Sequence, residues 1–163
     1  MTDWQGWLKQ ARRFVEMAKL CLINHYQEGA FYLSLHAGEL ALKSILIHCG
    51  IFEESDETHN MLKLLRKIEN NNCLDLKILF DIKNIVKSPV TPSKGISHVD
   101  IAYQPPASPH ISVRIDCEAA MTSEIRYPQN NIPRYEYIEY TEAEEKANLA
   151  DKMISLLEQV YNI

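Results

Sequence analysis

Zinc-knuckle and dithiol spacing is missing from this chain. Its four cysteines, at 21, 49, 73 and 117, never stand as Cys-x-x-Cys, so neither a structural zinc site nor a redox motif is indicated. Cys21 and Cys49 fall on apolar helical faces, where a thiol acts as a small hydrophobe. Four reduced cysteines in a cytoplasmic protein are the expectation. Long basic runs are missing too: Arg12-Arg13 and Arg66-Lys67 are the only adjacent basic pairs, and the formal charge is −5. That balance argues against a free-standing, charge-driven nucleic-acid binder, while leaving room for RNA at a local basic groove. No apolar run opens the chain, because Trp4, Gln5, Lys9, Arg12 and Arg13 interrupt it, so no signal peptide is expected. No stretch of membrane-spanning length is free of charge, so no membrane role is expected. There is no internal repeat and no low-complexity tract.

What is present is a supply of apolar residues, 46% of 163, at helical spacing. A chain of this length suits one domain, taken as 1–163, with a core large enough to need no staples. Phe31, Leu35, Gly38, Leu42, Ile45 and Cys49 recur at steps of three and four. Tyr32, His36, Glu39 and Lys43 form a second stripe beside them. A helix apolar on so many sides is packed all round, and its few polar groups are costly unless paired. Trp4, Trp7, Leu8, Ala11, Phe14, Val15, Ala18, Cys21, Leu22 and His25 place a helix over about Asp3–Tyr26 before it, with a break at Gln27-Glu28-Gly29. Gly50 is a good left-handed stop. Two long helices joined by a short turn are expected to be antiparallel neighbours.

Thr58 is expected to cap a third helix, His59 to about Glu69, with Met61, Leu64, Leu65 and Ile68 inward. Leu74 to Lys87 reads as a fourth, ending before Ser88-Pro89. Prolines 89, 92, 105, 106 and 109 then mark an insertion at about 88–116. Val99, Ile101 and Tyr103, and later Ile111, Val113 and Ile115, alternate with polar residues, which argues a β-hairpin pairing Ile101 with Val113 and Val99 with Ile115. A proline-rich loop without a ladder is the alternative. His98, Asp100, His110 and Asp116 would share its polar face, but no ligand spacing there is diagnostic, and no metal or cofactor is expected. Glu118–Ile125 suggests a short helix, and Thr141-Glu-Ala-Glu144 a capping box opening a last helix with Ala143, Ala147, Ala150, Ile154, Leu157 and Tyr161 inward. The fold class that follows is mainly α, an up-down bundle of four to five helices with a proline-rich insertion.

Several positions are candidates for function. Arg126, Tyr127, Arg134 and Tyr140 belong to a locally basic, aromatic segment in an acidic chain. Such a segment suits a base ring or phosphate, suits a protein interface, or simply covers the bundle's end. Glu39 and Lys43 stand at i,i+4, either as an intrahelical ion pair or as part of a nucleotide pocket or dimer contact. His36 reads as a core histidine or a proton donor beside them. His59, at a helix entrance, reads as a packing group or a phosphate contact.

Trp7-Leu-x-x-Ala11, Gly38-Glu-Leu-Ala-Leu-Lys43, Thr58-His-Asn-Met-Leu-x-x-Leu65 and Arg126-Tyr-Pro128, in this order, resemble a HEPN domain over roughly residues 4–87 and 118–161. The resemblance is to the Arg-Tyr-Pro subgroup associated with minimal nucleotidyltransferases. It implies a helical bundle, a symmetric homodimer, a nucleotide or RNA connection, and in many members a nucleotidyltransferase partner in a two-gene, toxin–antitoxin-like module. It also implies that catalytic members are metal-independent ribonucleases with an Arg followed by a His after four to six residues. Here arginines 12, 13, 66, 114, 126 and 134 all lack that histidine, and Glu139 stands where an Arg134-based pattern would place it. A non-catalytic dimeric binding or partner module is therefore expected. A ribonuclease toxin with non-standard residues and a structural adaptor are the alternatives.

Overall fold

The computed structural model describes residues 3–87 and 139–163. Within them the chain is helical, with no strand: α1 Trp4–Ile23, α2 Gln27–His48, a 3-10 turn Glu54–Asp56, α3 Met61–Asn70, α4 Leu76–Lys87 and α5 Tyr140–Tyr161. The insertion at 88–116 with its hairpin, the short helix at Glu118–Ile125, and Arg126, Tyr127 and Arg134 lie outside the described residues.

The helix ends follow local chemistry. The Asp3 carboxylate accepts from the Gly6 amide at 3.0 Å and opens α1. Four helices close on a left-handed residue: His25, Gly50, Asn72 and Asn162. At Gly50 the two closing bonds are Gly50 N–H to Ile47 O and Ile51 N–H to Leu46 O, both 3.0 Å, as the glycine predicted. Four starts differ from expectation, the simplest being α4, which begins at Leu76 and not Leu74. Helix α2 begins at Gln27, so Gly29 lies inside it, because the left-handed turn at His25 reverses the chain sooner. Helix α3 is capped by Asn60, which accepts from Lys63 N at 3.0 Å, while Thr58 Oγ1 instead accepts from the Asn60 amide. Helix α5 begins at Tyr140 after extended Glu139, without a side-chain cap, so Thr141 and Glu144 sit within the helix.

Helix α2 is the axis of the bundle and packs against α1, α5 and α3. Leu35, Leu42, Ile45 and Leu46 are fully enclosed, each worth about 1.5–3 kcal/mol of transfer free energy. Its buried hydroxyls are satisfied locally, Ser34 donating to Ala30 O and Ser44 to Ala41 O, both at 2.7 Å. By length and hydropathy α2 would also pass for a membrane span, but 78% of the relevant window is buried inside the protein, which marks a core helix. Trp4 contacts both His48 and Tyr161, so α1 starts where α2 and α5 end, and runs antiparallel to both. Arg12 locks that pairing: its guanidinium donates to both Glu158 oxygens (3.0 and 2.6 Å), to Ser155 Oγ and to Asp151. The long return through 50–60 sets α3 parallel to α2.

Two features fix that return beside the middle of α2. Buried Asp56 accepts from Lys67 Nζ at 2.7 Å and from the Glu53 amide at 2.9 Å. Gly38 seats the Met61 side chain that opens α3, since a Cβ there would lie 2.6 Å from Met61 Cε. The return delivers His59 to the polar stripe of α2.

Candidate functional site

The stripe and His59 close into one cluster around the Glu39 carboxylate, which is 2% exposed. Its Oε1 accepts from Lys43 Nζ at 2.6 Å. Its Oε2 is 2.8 Å from His59 Nδ1 and 3.4 Å from His36 Nδ1; the second contact is in ion-pair range but too poorly aligned for a full hydrogen bond. Burial pushes the Glu39 carboxyl up; contacts from His36, His59 and Lys43, with the Lys43 charge, more than offset it and hold its pKa at about 2. Glu39 is therefore ionised throughout the physiological range. Both of its oxygens are already engaged, so it suits the role of an orienting group better than that of a general base. With an ionised carboxylate at Nδ1, an imidazole turns its other nitrogen, Nε2, outward.

His36 reaches the surface at a cleft between α1 and α2. Asp3, Gly6, Trp7, Gln10, Phe14 and Leu40 line it with His36, and it encloses about 460 Å³. That is within the size range of small-ligand sites, roughly 300–1,000 Å³. The His36 ring lies 4.9 Å from Phe14 and 6.0 Å from Tyr32, nearly parallel to the latter at 11°. Trp7 leans on Phe52 from the loop after α2, 5.8 Å between centroids. The cleft thus combines the rings of Trp7 and Phe14, the Asp3 carboxylate, the Gln10 amide and an imidazole held from behind.

Four of the sequence candidates, His36, Glu39, Lys43 and His59, come together. Tyr140 stands apart at the start of α5, where its ring faces His25 at 6.1 Å. The remaining candidates, Arg126, Tyr127 and Arg134, are among the residues not described. The sequence marked Trp7 and Phe14 only as core stripe. Their spacing of seven places both on the α1 face turned toward His36, and Gln10 between them on that face was the available signal. Among the described residues no group of three or more His, Cys, Asp or Glu is arranged to hold a metal ion.

A HEPN domain profile matches residues 4–88, just over half of the chain. The crystal structure of an archaeal HEPN homologue aligns with a TM-score of 0.55 and 23% identity, covering 98% of this chain and 99% of that one, which shows a shared fold. No curated protein matches the sequence.

Proposed function

This chain belongs to the HEPN domain family, and from that membership we propose that it acts as a non-catalytic, dimeric binding or partner module for a nucleotide or RNA. One observation carries the binding role: an imidazole, backed by a buried carboxylate and flanked by aromatic rings, faces a cleft of about 460 Å³. Stacking a nucleobase on aromatic side chains contributes roughly 1–3 kcal/mol per base and needs no sequence readout. The sequence supports the absence of catalysis, because no arginine has a histidine at ribonuclease spacing and the one deeply buried carboxylate of the cluster is fully engaged. Arg126 and Arg134 are proposed to supply charge for a phosphate or for a nucleotidyltransferase partner, with Tyr127 and Tyr140 beside them in sequence.

Titration calorimetry with nucleoside monophosphates and short single-stranded RNA tests the cleft. His36→Ala should weaken binding about tenfold, equal to about 1.4 kcal/mol, and should also lower the thermal midpoint, since His36 helps to hold the Glu39 carboxylate. Equal affinity of parent and variant would remove the cleft from consideration. RNA recovered intact after metal-free incubation supports a binder; cleavage that survives purification would return the ribonuclease alternative.

Light scattering at micromolar concentration should give twice the chain mass of 18.8 kDa. Exposed Leu20, Ile23, Leu76 and Phe80, between 59% and 81% accessible, supply apolar surface for such an assembly. A mass of one chain across that range would rule the dimer out.

A further inference from the structure

We propose that Cys49 and Cys73 form a modification site, a reversible intramolecular disulfide made by exchange with a small-molecule disulfide such as oxidised glutathione. The two thiols are free and half-buried, and they are brought together by the fold across 24 residues of sequence. Cys49 is the residue that closes α2, and its Sγ lies 3.6 Å from the Cys73 carbonyl oxygen. That contact sets the Cys49 thiol against the Cys73 residue, from which the second thiol projects. Thiols so placed must close to about 2.05 Å to bond. Both sit at helix-flanking positions, Cys49 before left-handed Gly50 and Cys73 after left-handed Asn72, where small backbone adjustments do not break a helix interior.

Beside Cys73 there is room for the glutathione that the second step expels. A cavity of about 410 Å³ is lined by Asn72, Cys73, Leu74, Asp75 and Tyr161. The Tyr161 hydroxyl is buried there without a hydrogen-bond partner, and its ring is pinned by Trp4 and His48 at 4.8 and 4.7 Å. Burial, and then the contact with Cys49, push the Cys73 thiol up to about 12, so Cys73 is protonated at neutral pH and its step should speed up as pH rises.

The exchange balances. The Cys49 thiolate attacks one sulfur of oxidised glutathione, the S–S bond breaks, and one glutathione thiolate leaves. Cys73 then gives its proton to solvent, attacks the Cys49 sulfur and expels the second glutathione thiolate. Two protein thiols are oxidised, one small disulfide is reduced, and the two protons end on two glutathione thiols.

The full-length chain is incubated with oxidised glutathione, quenched by alkylation and mapped by mass spectrometry. The expected map joins the peptide of Cys49 to that of Cys73, lowers the chain mass by two hydrogens and leaves Cys21 alkylated. The thermal midpoint should rise by roughly 5–10 °C, since the bond closes a loop of intermediate length. Cys73→Ser should stop at a glutathione adduct on Cys49; where that variant fails to fold, the parent map alone decides. Recovery of Cys49 and Cys73 both alkylated, or carrying only glutathione, or linked to Cys21 or Cys117, overturns the site.

Discussion

Replacing Glu39 with alanine should cost roughly 3–5 kcal/mol of stability, because it leaves Lys43 charged and buried without its partner. For a chain of this size that is a fall in thermal midpoint of about 10 °C or more. Lys43 is only 6% exposed and lies inside the most enclosed helix of the bundle, so water cannot replace the lost carboxylate. The same change removes the acceptor facing His59 and His36, which frees α3 from the middle of α2. Two companions separate charge from shape. Glu39→Gln keeps an acceptor for His59 but not the charge, and should fall between parent and alanine. Glu39→Met combined with Lys43→Met removes both charges at similar volume and should recover most of the loss, since well-packed apolar replacements of buried pairs are often neutral. Thermal melts of the four proteins decide it. A Glu39→Ala midpoint within about 2 °C of the parent would mean that the carboxylate does not balance the buried lysine.

Much of this cluster was legible in one dimension. Tyr32, His36, Glu39 and Lys43 share a stripe because the helical period puts them there, and burial of the neighbouring stripe forced the pairing of Glu39 with Lys43. His59 is different. It reaches Glu39 through a return loop whose course depends on Asp56 meeting Lys67 and on Gly38 admitting Met61, contacts spanning 11 and 23 positions that no local period encodes. Residues 51–57 carry no helical or strand period and four acidic side chains, yet Asp56 is 1% exposed and ties that loop down. The cleft walls were hidden for the same reason: Trp7 and Phe14 come from α1, and His36 and Leu40 from α2. Helix ends were legible where a residue type forces geometry, as at Gly50. They shifted by one or two residues where Asn60 competed with Thr58 as cap, or where Tyr140 added a residue ahead of the expected start of α5.

The same electrostatics set the response to acid. Glu39 falls from the ordinary glutamate value of 4.5 to about 2 in the folded chain. A carboxylate depressed by folding adds stability that is fully present above its unfolded pKa and is lost as pH drops through its folded one. For Glu39 the window therefore runs from about pH 4.5 down to about 2, and the stability at stake is roughly 3 kcal/mol at 1.36 kcal/mol per pH unit. Asp56 and Asp151 move in the same direction. Burial works against each, but Lys67 and the Glu53 amide hold Asp56 down, and Lys19 with Arg12 hold Asp151 down. All three losses fall on the acid side and add, because the three carboxylates belong to separate contacts. Denaturant unfolding should thus give a steep decline below about pH 4.5. The Glu39→Gln variant should start lower at pH 7 and decline less between pH 4.5 and 2, so the two curves converge in acid. Parallel curves for parent and variant across that range would place the depressed carboxylate elsewhere and remove Glu39 as the group that ties α2 to α3.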